Sequence, residues 1–139
     1  TYDLTNTQKE FVKASYWASI RRNDPEAVKR YEQAREALKN EVTMDVYRDK
    51  GIAWQGGLQH AVNDPKLKDT NPSAYEFNQR LQKANDEALS ATNGMMDHLV
   101  QLMDTREESA GVAVRNWNLA NGRIGPRGVD TSPDDVLKR

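Results

Sequence analysis

Residues 72–104 read PSAYEFNQRLQKANDEALSATNGMMDHLVQLMD, and this stretch sets the fold class. Ala74, Phe77, Leu81, Ala84, Ala88, Ala91, Met95, His98 and Leu102 recur at alternating steps of three and four. An α-helix turns once in about 3.6 residues, so these side chains share one face, a heptad-like seam. Pro72 suits the first turn of such a helix, where its missing N–H removes no bond. The middle of the seam, Ala84, Ala88 and Ala91, is small and lets a neighbouring helix come close. Leu99, Val100 and Met103 widen the apolar face, which favours a globular bundle over a bare two-stranded coil. Asn93-Gly94 inside the pattern is the expected place for a bend.

Working outward, Asp24-Pro25 is an N-cap followed by a first-turn proline, and it starts a helix expected over Pro25–Asp49. Ala27, Tyr31, Ala34, Leu38 and Val42 form its apolar stripe, and Gly51 stops it beyond Arg48 and Lys50. An earlier helix is expected to begin near Thr7, which has capping-box spacing to Glu10. It would bury Phe11, Val12, Tyr16, Ser19 and Ile20 and end before Asn23. Ile52, Trp54, Leu58, Ala61 and Val62 suit a short helix, which Gly56-Gly57 weakens by roughly 1 kcal/mol each. Turns follow at Asn63-Asp64-Pro65 and Asn71-Pro72.

Downstream, Thr105 and Glu108 repeat the capping-box spacing, and a last helix reaches about Ala120 with Ala110, Ala113, Val114 and Trp117 inward. Gly122, Gly125, Pro126 and Gly128 then end helical text. The reading is all-α: a bundle of four to five helices over 1–120 with one long helix at about 72–104. Residues 121–139 are expected as an extended basic arm, flexible or ordered by a partner. Leu81, Ala84, Ala88, Ala91, Met95, Leu102 and Trp117 are the seam and core candidates.

A chain of 139 residues can bury a core without staples, and it has no cysteine to make them. Charged residues make up 29% of it and mean hydropathy is −0.91, as long amphipathic helices with wide solvated faces require. Twenty basic and 21 acidic side chains nearly cancel, so no global field draws the protein to nucleic acid or to a membrane. Locally, residues 71–110 hold three basic side chains against seven acidic ones, and residues 111–139 hold five against three. No apolar run approaches the ~20 residues that span a bilayer. Thr1–Glu10 lacks a signal-peptide pattern, so the expected setting is cytoplasmic or within a macromolecular assembly.

Absence of cysteine removes thiolate metal sites and thiol nucleophiles. The two histidines, His60 and His98, stand on different segments without the spacing of a paired metal ligand, so no metal is expected. No serine sits in a Gly-x-Ser-x-Gly elbow. Gly56-Gly57 lacks the lysine and Ser/Thr of a phosphate loop, and adjacent Glu107 and Glu108 point to different faces of a helix. The chain is therefore expected to be no enzyme and to carry no cofactor.

Trp54-Gln55-Gly56 resembles the Trp-x-Gly turn of the WXG100 family of exported helical hairpins. The resemblance implies two long helices paired around that turn, export and dimerisation, over residues 25–105. The chain departs from the family in being longer and in the interruption from Asp64 to Pro72. No tyrosine is followed four residues later by Asp or Glu, so the family's export signal is absent.

The leading functional expectation is a structural or interaction protein that self-associates or docks into a larger assembly, a virus-particle component being one setting with this anatomy. Trp54, Arg123, Arg127, Lys138 and Arg139 are its partner-binding candidates, with Trp117, Tyr75 and Phe77 as further aromatic anchors. The four charges on the arm give weak support for nucleic acid, diluted by Asp130, Asp134 and Asp135. One alternative is a regulatory protein that inhibits another through the acidic helical face of residues 76–108. The other is a WXG100-like exported hairpin.

Overall fold

The computed structural model of the chain describes residues 3–62, 64–104, 108–122, 124, 125, 128 and 129. Helix α1 spans Asn6–Ile20, α2 Pro25–Asp49, α3 Leu67–Thr70, α4 Pro72–Asp104 and α5 Glu108–Ala120. Two short strands, β1 Ile124–Gly125 and β2 Gly128–Val129, follow as an antiparallel hairpin. The protein is an all-α bundle with one long helix.

Helix α2 starts and stops where its residues demand. Asp24 accepts the Glu26 N–H at 3.0 Å, Pro25 fills the first turn, and Gly51 takes φ +70 beyond the end. Helix α1 begins earlier than expected. Thr5, not Thr7, is the N-cap: its Oγ1 accepts the Gln8 N–H at 3.1 Å, and the Gln8 side chain accepts the Thr5 N–H at 3.0 Å. Glu10, the other half of the expected box, is instead paired with Arg30. Helix α4 runs unbroken through Asn93-Gly94. The capping box expected at Thr105 lies outside the described residues.

Four helices form a ring in which α1 packs on α2 and α5, and α4 packs on α2 and α5. Tyr31 shares a cleft with Met96 and Val100, while Tyr47 bonds Asn85, so α2 and α4 run antiparallel. Glu10 pairs with Arg30 and Thr5 with Glu41, which makes α1 antiparallel to α2. Length decides the shape. At about 1.5 Å per residue, the 25 residues of α2 and 33 of α4 far outrun the 15 of α1 and 13 of α5. The short helices therefore cover one half of the α2/α4 hairpin. The main core lies there, built on Phe11, Tyr31, Leu38, Met96, Leu99 and Trp117.

The other half has a smaller core of Tyr47, Ile52, Leu81 and Ala84, closed by a strap rather than a helix. The expected helix over 52–62 does not form. Gly56 and Gly57 sit at φ +96 and φ +88, a region no right-handed helix visits. The segment instead folds back along the hairpin. Asn85 donates to the Gln59 carbonyl at 2.8 Å, Asn78 accepts the Val62 N–H at 3.0 Å, and the Tyr47 hydroxyl accepts the Gln59 N–H at 2.9 Å. The same hydroxyl donates to Asn85. Asn78 and Asn85 are seven residues apart on α4, so both reach the same extended backbone.

This closure turns the buried face of α2. Ala27, Tyr31, Ala34 and Leu38 face inward in its first half; Lys39, Thr43 and Tyr47 do so in its second, while Val42 is half-buried. On α4, Leu81, Ala84 and Ala88 are buried as expected. The seam then departs from a strict heptad. Ala91 is exposed, Met95 and Leu102 are half-buried, and Thr92, Met96, Leu99 and Val100 take the interior. A straight helix slips ~20° per heptad, which moves the inward face one residue later after three repeats. Phe77 stays on the early seam but is 41% exposed, because α1 and α5 cover the other end of the α2/α4 hairpin. Tyr75 is half-buried.

Beyond α5, Ile124 is 3% exposed and belongs to the main core. Lys39 Nζ donates to the Gly125 carbonyl at 3.5 Å, and Asn93 Nδ2 donates to that of Ile124 at 3.4 Å. The packed domain thus extends past Ala120 to at least Gly125. Arg123, Arg127, Lys138 and Arg139 lie outside the described residues. No described helix is long and apolar enough to cross a membrane.

Candidate functional site

The surface with the most unusual chemistry is the outer face of α1. The sequence places Phe11, Val12, Tyr16, Ser19 and Ile20 inward. The structure buries Phe11 and Ser19 as expected, adds Ala14, Ser15 and Ala18, and leaves Ile20 51% exposed. Val12 and Tyr16 are half-buried. The reason is size: two successive Ala-Ser pairs let α1 approach α2 and α5 closely, and that contact outweighs burial of the larger side chains on the opposite face. Trp17, 38% exposed, is turned outward with Ile20.

Lys9, Lys13, Trp17 and Ile20 lie within one arc of about 80° at 100° per residue, and all four are exposed. The Arg21 guanidinium stands 4.5 Å from the centre of the Trp17 ring. The Tyr16 ring meets the same indole edge-on at 5.4 Å. A shallow depression of about 340 Å³ adjoins it, lined by Trp17, Arg21, Asp24, Glu26, Ala27 and Arg30. Two nearby carboxylates are engaged in the fold. Asp24 caps α2, and Glu10 binds Arg30 at 2.5 and 3.1 Å, which holds the Glu10 carboxyl below its usual range. Lys9, Lys13 and Arg21 thus surround an aromatic and aliphatic pair, with the exposed Glu26 across the depression.

The sequence candidates are distributed elsewhere. Trp54 is 37% exposed in the connection between α2 and α4, where the WXG100 resemblance puts its tryptophan, although that connection is a long strap and not a tight turn. Trp117 is buried, with its ring centre 4.0 Å from that of Tyr31. His60 is exposed beside Gln82 and Asp86, and His98 is exposed on α4. Among the described residues no group of three or more His, Asp or Glu side chains is placed to hold a metal ion. Trp17 escaped the sequence reading, which followed the larger side chains of α1. The run of small residues Ala14-Ser15 and Ala18-Ser19 was the available signal.

Fold and surface together define a helical-bundle protein with an outward aromatic face. Comparison of the chain with protein-family models, with curated proteins and with solved structures finds no match.

Proposed function

We propose that this chain is a non-catalytic interaction protein that self-associates, or docks into a larger assembly, through the outer face of α1. One observation carries the reading: α1 completes its part of the core with Phe11 and small residues, so the fold has no use for an exposed Trp17 and Ile20. Exposed tryptophan beside arginine is the composition of an interface anchor. The complementary surface is an apolar patch rimmed by carboxylates. The chain carries exposed Phe77 on α4 between Glu76 and Arg80, whose guanidinium stands 5.5 Å from the ring centre, with Asp86 and Glu87 further along, and Glu87 pairs with Lys50. Contact between α1 of one copy and α4 of the next is head-to-tail, the kind that builds rings or filaments. A nucleic-acid partner is less favoured, because Arg21 lies over the Trp17 ring that a base would need.

Light scattering behind size exclusion tests this on the full chain and on a Trp17→Ser/Ile20→Ser variant. The expected result is a salt-sensitive oligomer for the parent and a monomer of unchanged helicity for the variant. An oligomer unaffected by the double substitution places the interface elsewhere and overturns the reading.

A further inference from the structure

A second surface, away from α1's outer face, has the form of a ligand site. Between α2, α4 and α5 lies a half-open cleft of about 340 Å³, within the range of small-molecule sites. Its floor is apolar: the Tyr31 ring, Met96 and Val100 are each at most 6% exposed. Leu119, 38% exposed, stands among its walls with Asn118 and Gln101. The Tyr31 hydroxyl donates to Asn118 Oδ1 at 2.7 Å, which fixes the orientation of that amide and leaves its NH2 as donor. Neither that NH2 nor the Gln101 amide has a hydrogen-bond partner among the described residues. Asp97 and Arg115 also line the cleft, one charge of each sign, and each already has a partner of its own.

We propose that this cleft binds a small neutral molecule in which one aromatic or branched aliphatic group adjoins a carbonyl or hydroxyl oxygen. The apolar group fills the space above Met96 and Val100, and the oxygen accepts from the Asn118 amide. Burial pushes the Tyr31 hydroxyl up to about 12, so the floor stays uncharged across the physiological range. An anionic analogue of the same shape would give up its hydration, and the Arg115 that could meet it already has a partner.

The test is a titration of the full chain with benzamide and, separately, with benzoate, followed through the methyl signals of Met96, Val100 and Leu119. Benzamide is expected to shift them saturably, with benzoate at least about tenfold weaker. Asn118→Ala should weaken benzamide roughly tenfold, the scale of one neutral hydrogen bond. Leu119→Trp, at a position already partly exposed, should block the cleft while circular dichroism shows an intact fold. Absence of a saturable shift, equal response to both probes, or undiminished binding by Leu119→Trp overturns the proposal.

Discussion

Tyr31 on α2 donates its hydroxyl to Oδ1 of Asn118 on α5 at 2.7 Å, joining helices that stand diagonally across the bundle. The Tyr31 ring meets Trp117 edge-on at 83°, so one side chain supplies both an aromatic contact and a polar tie. Tyr31→Phe keeps the ring and strands the Asn118 oxygen, which should cost about 1–3 kcal/mol. Urea unfolding measures it. A double-mutant cycle with Asn118→Ala should show coupling, and additive effects would mean the bond contributes nothing of its own.

The same residue makes stability depend on alkaline pH. Burial raises the Tyr31 pKa from its ordinary value of 10.0 to about 12, with Arg35 opposing the shift. The folded state therefore holds the proton more tightly than the unfolded chain. This contribution is complete below pH 10 and is lost as pH rises from 10 through about 12. Two pKa steps correspond to roughly 2–3 kcal/mol. Unfolding midpoints measured across that window should fall for the parent and fall less steeply for Tyr31→Phe.

Capping distinguishes two threonines of α1. Thr5 closes the capping box with Gln8, so Thr5→Ala should lower stability by about 1 kcal/mol. Thr7 lies inside the helix, and Thr7→Ala should change little or raise stability slightly through helix propensity. Paired thermal melts decide it, and a larger loss at Thr7 would contradict the observed start of the helix.

The strap over the α2/α4 hairpin depends on Asn85, which links the Tyr47 hydroxyl to the Gln59 carbonyl. Asn85→Ala leaves both groups without that partner and should cost about 2–3 kcal/mol. Hydrogen exchange should rise first at the Gln59 and Val62 amides, whose protection rests on Tyr47 and Asn78. Uniform loss of protection across the bundle would show instead that the strap and core unfold as one unit.

Ile124 tests where the domain ends. It is 3% exposed among Phe11, Leu38 and Met96 residues of the main core. Ile124→Ala should therefore destabilise by about 2–4 kcal/mol, as a core truncation does. A chain ending at Ala120 should lose at least as much, whereas a value near zero for both would return Ile124 to a peripheral role.

Much of the architecture was legible because it rests on local rules. Asp24-Pro25 and Pro72 marked helix starts by capping chemistry and proline geometry, and both starts are where those residues put them. The α2 stripe was readable from Ala27 to Leu38 because α1 and α4 both lie on that side. The candidate surface was not readable. Trp17 and Ile20 are the kind of residue a pattern assigns to the interior, and the small run through Ala14, Ser15 and Ala18 becomes a contact only where a neighbouring helix comes close enough to use it. Trp54 stands out in the sequence by its Trp-Gln-Gly string, yet its exposure depends on how the strap crosses two helices.

By itself the sequence determined the helical class, the long helix over 72–104, the ends of α2 and the absence of any disulfide. Those follow from periodicity, caps and composition, which act within a few residues. Only the tertiary structure decided that α1 turns its aromatic pair outward, that residues 52–62 form a strap, and that Ile124 joins the core. Each of those outcomes is a competition between distant surfaces for the same space. The winner is set by helix lengths and close packing, quantities that no single segment contains.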